Sequence, residues 1–201
     1  MLGEFLNYYL DIVKGSRENT YKNYAALFVL LPKSGARIGE ILALRWSDVD
    51  FETGTIHITR TVSGKGYMPP KSKNGIRKVP LDRGTLKLLS KYKIQQGKEK
   101  LLCGDGYNLR NLVFTRSNGQ KVPYNTAYGA FSRLTKRSGL PYITIHGLRH
   151  THATFLLRHG HSVNTVAERL GEDPKTIMDT YAHVLPGMQT EVVRTIERLC
   201  E

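Results

Sequence analysis

The sequence predicts an α+β fold, a mostly helical domain with a small antiparallel sheet of about three strands. Three observations carry that expectation. Apolar residues recur at helical spacing toward both ends of the chain. The run Thr55-Ile-His-Ile-Thr-Arg-Thr61 alternates and is rich in β-branched residues. Glycines and an Asn-Gly pair then punctuate the stretch that follows. No repeat, low-complexity tract or linker divides residues 1–201, which read as one domain with chain enough for a hydrophobic core.

Taken in order, Glu4–Val13 places Phe5, Leu6, Tyr9, Leu10 and Val13 on one helical face. Tyr21–Leu31 predicts a second helix, ended near Pro32 because proline lacks the N–H and crowds the preceding turn. Arg37–Leu44 predicts a third, after a loop at Ser34-Gly35. The strand Thr55–Thr61 is followed by a turn at Gly64 and Gly66, with two more short strands near Met68–Lys71 and Arg77–Val79. Asn74-Gly75 between them is the signal of a tight hairpin. Asp82 caps a helix running to about Gln96, and Gly97–Arg110 reads as a looser connection. Asn125–Ser138 and His146–Arg158 are helical, the latter stopping at Gly160. Ser162 caps a helix to Leu170 with Gly171 as its C-terminal glycine, and Asp173-Pro174 starts another through about Ala182. An amphipathic helix over Gln189–Leu199 comes last.

Composition narrows the function. Apolar residues at 40% and charged ones at 23% exclude a disordered chain. Thirty Lys and Arg against seventeen Asp and Glu leave a formal charge of +13, which draws polyanions, nucleic acid above all. Cys103 and Cys200 form no CxxC pair, against both a disulfide framework and a cysteine zinc site. The longest apolar run, Ala25–Leu31, is far below the roughly 18 residues that span a bilayer, and no charged-then-apolar leader opens the chain. A cytoplasmic location with access to DNA, and no membrane, is the expectation.

Three segments carry candidate chemistry. In Thr144-Ile-His-Gly-Leu-Arg-His-Thr-His-Ala-Thr154, His146 and Arg149 are spaced to face one point at a helix start. Arginine supplies fixed charge to a phosphate, and histidine exchanges a proton near neutral pH. Metal binding by His146, His150 and His152 is the rival; an arginine inside the cluster and the missing Glu of HExxH stand against it, and His150 reads as a buried, hydrogen-bonded helix residue. In Ser34-Gly-Ala-Arg-Ile-Gly-Glu-Ile41, Arg37 sits at a helix start, where backbone donors also favour anions. Tyr181 alone would be an ordinary packed tyrosine. It attacks a phosphodiester only if cations stabilise the phosphoryl oxygens and a base takes its proton.

In the order GARIGEILALRWSDVD, KSKNGIRKVPL, HGLRHTHAT, LGEDPKTIMDTYAHV, the chain resembles the tyrosine recombinase catalytic domain of the phage integrase family from about residue 20 to 187. The resemblance puts the family's first arginine on Arg37, its hairpin lysine on Lys73 or alternatively Lys71, its HxxR pair on His146 and Arg149, and its nucleophile on Tyr181. Glu40 and Asp48 fall in the scaffold around Arg37. One position departs: where the family usually has LGH, sometimes with Trp for His, this chain has Leu170-Gly-Glu172. A carboxylate there brings negative charge near a phosphate; it orients Arg149 or Lys73, or points outward.

The resemblance implies a site-specific recombinase. Tyr181 would form a 3′-phosphotyrosyl bond and release a 5′-hydroxyl. Arg37 and Arg149 would hold the non-bridging oxygens, Lys73 would protonate the 5′-oxygen, and His146 would help deprotonate Tyr181 or hold the phosphate. No metal or other cofactor is called for. The implied partners are double-stranded DNA, further copies in a tetramer on DNA, and accessory DNA-bending or excision factors, in the nucleoid of a bacterial cell. Core-binding and arm-binding domains would normally precede such a domain, and on that expectation Met1 would be an artificial start. The Gln189–Leu199 helix would dock on a neighbouring protomer or pack on its own domain. Two alternatives stay open: a catalytically weakened DNA-binding relative, suggested also by the helix-turn-helix spacing in Ser162–Ile177, and a type IB topoisomerase.

Overall fold

The computed structural model describes residues 19–63, 66–70, 72–107, 111–137, 142–184 and 196–197. The expected helix Glu4–Val13, Lys71, and the Gln189–Leu199 helix apart from helical residues 196–197 lie outside them. Helix α1 (Asn19–Ser34) is buried around its whole circumference from Tyr24 to Pro32 because that stretch runs through the core, with Leu27, Phe28, Leu30 and Leu31 all but inaccessible. It passes the expected stop at Pro32: Ser34 Oγ donates to Leu30 O at 2.7 Å and Gly35 N to Leu31 O at 3.0 Å, closing one more turn. Helix α2 (Ile38–Leu42) is shorter than expected, with Arg37 as its extended N-cap residue.

The expected strand Thr55–Thr61 divides. Strand β1 (Val49–Asp50) leads to β2 (Thr55–Ile58), and β2 pairs antiparallel on one side with β1 and on the other with β5 (Arg77–Pro80). Strands β3 (Thr61–Ser63) and β4 (Gly66–Met68) pair separately as a two-stranded ribbon. A three-stranded antiparallel sheet is therefore present, but its third member is β1 and not the strand expected near Met68–Lys71. Asn74-Gly75 lies in a 3-10 turn (Lys73–Gly75) that feeds β5, since β4 and β5 are not partners.

Helix α3 (Arg83–Cys103), capped by Asp82, runs through the expected loop at Gly97. Tertiary bonding overrides the glycine: buried Gln96 donates to Val113 O at 2.9 Å and accepts from Trp46 Nε1 at 2.6 Å. Helices α4 (Tyr124–Arg137), α5 (Ile145–Arg158), α6 (Val163–Leu170) and α7 (Pro174–Tyr181) match the expected spans closely, the last three with Thr144, Ser162 and Asp173 as side-chain caps. Among the described residues no helix is long and apolar enough to cross a membrane.

Buried residues form two clusters. The larger joins α1, α2, the main sheet and α4; the smaller joins α6, α7 and the C-terminal half of α5 through Ala153, Leu157, Val166, Leu170, Ile177 and Tyr181. Helix α5 gives Ile145 and Leu148 to the first and Ala153 and Leu157 to the second, so His146, Arg149 and His150 fall where the two meet.

Candidate active site

Four charged side chains make the floor of the site. Glu40, 2% exposed, accepts from the Arg37 backbone N–H at 2.9 Å, from Arg37 Nη1 at 3.1 Å and from Arg77 Nη2 at 3.0 Å. Burial alone would raise its carboxyl pKa, but the hydrogen bonds and charge of Arg77, with Arg37, hold it below the usual carboxylate value. Asp48, the other expected scaffold residue, bonds instead to Arg60 at 2.6 Å. Buried Arg149 donates Nη1 to Gly35 O at 2.8 Å and Nη2 to Leu170 O at 2.9 Å, so a loop carbonyl and a helix-end carbonyl aim it. Burial and then the charge of Arg37 push its pKa down, against Glu40 and Glu172.

Glu172 closes this network. One oxygen, Oε1, accepts from Arg37 Nη2 at 2.5 Å and from Arg149 Nη2 at 2.8 Å. Of the expected roles, orienting Arg149 is the one the geometry has, and outward pointing is not. Glycine fixes the residue's place. Gly171 ends α6 at φ +68, and a Cβ there would lie 2.6 Å from Arg77 Nη1. Gly35, also at φ +68, is pinned likewise: its Cβ would meet His152 at 2.6 Å and Leu170 at 2.7 Å.

Above the arginines stand two imidazoles and the tyrosine. His146 and His150 meet edge to face with centroids 4.6 Å apart. Tyr181, 6% exposed, hydrogen-bonds through its hydroxyl to His150 Nδ1 at 2.7 Å. Burial raises the tyrosine's pKa, Arg149 lowers it and Glu172 raises it again. His146 points to the cations: with Arg37 and Arg149 it lines a cleft of about 300 Å3 whose other wall includes Thr61, Val62, Tyr124 and Tyr128. Partial burial, then His150, Arg149 and Arg37, pull its pKa below the ordinary histidine value against Glu172, and this lowering favours the neutral ring.

Lys73 is exposed on its 3-10 turn and shares a neighbouring cleft of about 480 Å3 with Glu172 and Asn74. Asn74 Nδ2 donates to Glu172 O at 3.4 Å and ties that turn to the network. Of the expected residues, the structure thus gathers Arg37, His146, Arg149, Glu172 and Tyr181, and sets Lys73 beside them across Glu172. The third histidine of the segment turns away. His152 is buried, with Nδ1 bonded to Pro32 O at 2.8 Å and Nε2 accepting from Arg169 Nε at 3.0 Å. Among the described residues no group of three His, Cys, Asp or Glu is placed to hold a metal ion.

Two site residues escaped the sequence. Arg77 was legible in principle, since alternation in β5 puts it on the same inner face as Val79. His150 read as a buried helix residue; it is half-buried, and its partner lies 31 residues away, which no local pattern reveals.

The phage integrase family model matches residues 7–187. The chain belongs to the phage integrase family. Among integrase-family relatives, a tyrosine recombinase XerC-like protein of Caldanaerobacter subterraneus subsp. tengcongensis is 32% identical over 191 residues, covering 87% of this chain and 49% of that protein. The ICEBs1 integrase of Bacillus subtilis is 31% identical over 175 residues, covering 83% of this chain and 46% of that one. The chain spans about half the length of these curated relatives. In shape it is similar to the Tn1549 transposon integrase in complex with transposon right end DNA, at TM-score 0.76 and 23% identity over 96% of this chain and 63% of that one. It is similar also to the XerH site-specific recombinase bound to difH substrate in a pre-cleavage complex, at TM-score 0.71 and 23% identity over 97% and 52% of the two chains.

Proposed function

We propose that this protein is a site-specific DNA recombinase that cuts and rejoins strands through a 3′-phosphotyrosyl bond, in integration or excision of a phage or mobile element. One observation carries the reading: a buried tyrosine hydroxyl held on an imidazole, on the helix that follows Leu170, whose carbonyl and that of Gly35 aim Arg149 beside Arg37. That arrangement suits in-line attack on a phosphodiester whose non-bridging oxygens rest on Arg37 and Arg149. His146 supplies a further donor to the same phosphate from the shared cleft. Lys73 protonates the departing 5′-oxygen once DNA draws its turn inward. The phosphotyrosyl ester keeps the energy of the broken bond, so a 5′-hydroxyl from another strand reverses the step. Family membership and the DNA-bound structural neighbours support this reading.

Residues 1–201 act here as one catalytic unit on double-stranded DNA in the bacterial cytoplasm and nucleoid. Exchange between two duplexes needs one active copy per cut strand, hence a tetramer on DNA, with accessory bending or excision factors setting direction. The deciding experiment incubates the protein with a nicked duplex bearing the recombination site next to its coding sequence, denatures it, and looks for a covalent protein–DNA band. A band that disappears with Tyr181→Phe is expected; a band that persists in that variant sinks the assignment. Glu172 between the arginines favours one second reading, a catalytically weakened relative. On that reading the adduct is missing from the native chain and appears with Glu172→His.

A further inference from the structure

We propose that His150, and not His146, takes the proton from Tyr181 as the tyrosine attacks phosphorus. This rests on the phosphotyrosyl reading above and adds the proton's destination. The Tyr181 hydroxyl lies 2.7 Å from His150 Nδ1, a direct hydrogen bond with no room for an intervening water. Packing fixes that distance, because Ala153 and Leu157 on α5 and Ile177 on α7 belong to the same buried cluster as Tyr181. His146, one helical turn earlier, sits in the cleft of Arg37 and Arg149, where it is placed to meet phosphate oxygens. The two imidazoles touch edge to face yet serve different partners.

An acceptor is needed because burial holds the Tyr181 phenol above its ordinary pKa and so keeps it protonated. For Nδ1 to accept, the neutral ring carries its own proton on Nε2. As the Tyr181 O–P bond forms and the P–O5′ bond breaks, the phenolic proton passes to His150 Nδ1, and the 5′-oxygen takes a proton from Lys73. On religation the imidazolium returns its proton to the departing phenolate, and Lys73 recovers one from the attacking 5′-hydroxyl. Charge and atoms balance, and no metal or co-reactant enters.

The test has two arms. In the first, covalent adduct formation on the nicked duplex is timed for the native protein and for His150→Gln, which can hydrogen-bond but cannot take up a proton; a fall of about 10²–10⁴-fold is expected. In the second, a strand ending in a 3′-p-nitrophenyl phosphate is joined to a 5′-hydroxyl strand by Tyr181→Phe protein, with and without His150→Gln. Nitrophenolate leaves without a proton, so ligation should be essentially unchanged by the His150 substitution. Adduct formation at the native rate in His150→Gln overturns the proposal. So does a loss of nitrophenyl ligation in proportion to the loss of adduct, which would make His150 a structural residue. No adduct with either the native protein or Glu172→His would overturn the phosphotyrosyl reading itself, and His150 with it.

Discussion

On the side of the proposed nucleophile, Tyr181 is 6% exposed, its hydroxyl is already on an imidazole, and the helix that carries it is packed into a core. On the proposed leaving-group side, Lys73 stands exposed on a single 3-10 turn, in a different cleft from Arg37 and Arg149. On the proposed reading, one half is organised before DNA arrives; the other is only attached nearby through Asn74 and Glu172. The difference separates two kinds of proposed catalytic residue, one that also holds the fold and one that would contribute chemistry alone.

Substitutions can break that contrast. Lys73→Ala should slow cleavage about 10²–10⁴-fold while leaving the melting temperature unchanged. A substrate with sulfur at the bridging 5′ position, whose thiolate leaves unprotonated, should restore the rate; failure to restore it would remove Lys73 from the leaving-group role. Arg149→Ala should slow cleavage about 10²–10³-fold and also destabilise the fold, because Gly35 O and Leu170 O lose their buried donor at about 1–3 kcal/mol each. Equal melting temperatures for Arg149→Ala and the native chain would contradict the division.

Acid should act through the buried side. Burial and then Arg169 push His152 down to about 4, whereas the unfolded chain titrates it near the ordinary 6.5. Between those values the unfolded state binds more protons, so stability is full above 6.5 and falls as pH drops toward 4, by on the order of 3 kcal/mol. Urea unfolding across that range should show the slope, and His152→Gln should flatten it. Smallest is Glu172→Gln, which removes the negative charge lodged between Arg37 and Arg149. DNA affinity should rise on the order of tenfold at low salt and converge on the native value as salt is raised. Weaker binding would show that the carboxylate serves the arginines more than it opposes the phosphate.

How much of this was legible depended on range. Helices α5, α6 and α7 could be read because Thr144, Ser162 and Asp173 cap them locally and Gly171 ends α6. The membership of the sheet could not, since β1 is two residues long and carries no alternation. Helix α3 outran its expected end because Gln96 is held by residues from a later loop. In the site, Arg37, His146, Arg149 and Tyr181 were marked by motif, and Glu172 by its departure from one. What the carboxylate does was not readable, because Arg37 lies 135 residues from it in the chain.

The burial of Tyr181 has a mechanical side. In the proposed reaction the cut 3′ end is tied to a side chain that is itself part of a packed wall, against Leu157, Leu170 and Ile177. Tension along that strand is then carried by the whole three-helix cluster, like a rope made fast to a building's frame. The free 5′ end has no such tether. One end of the break stays put while the other is at liberty to change partners.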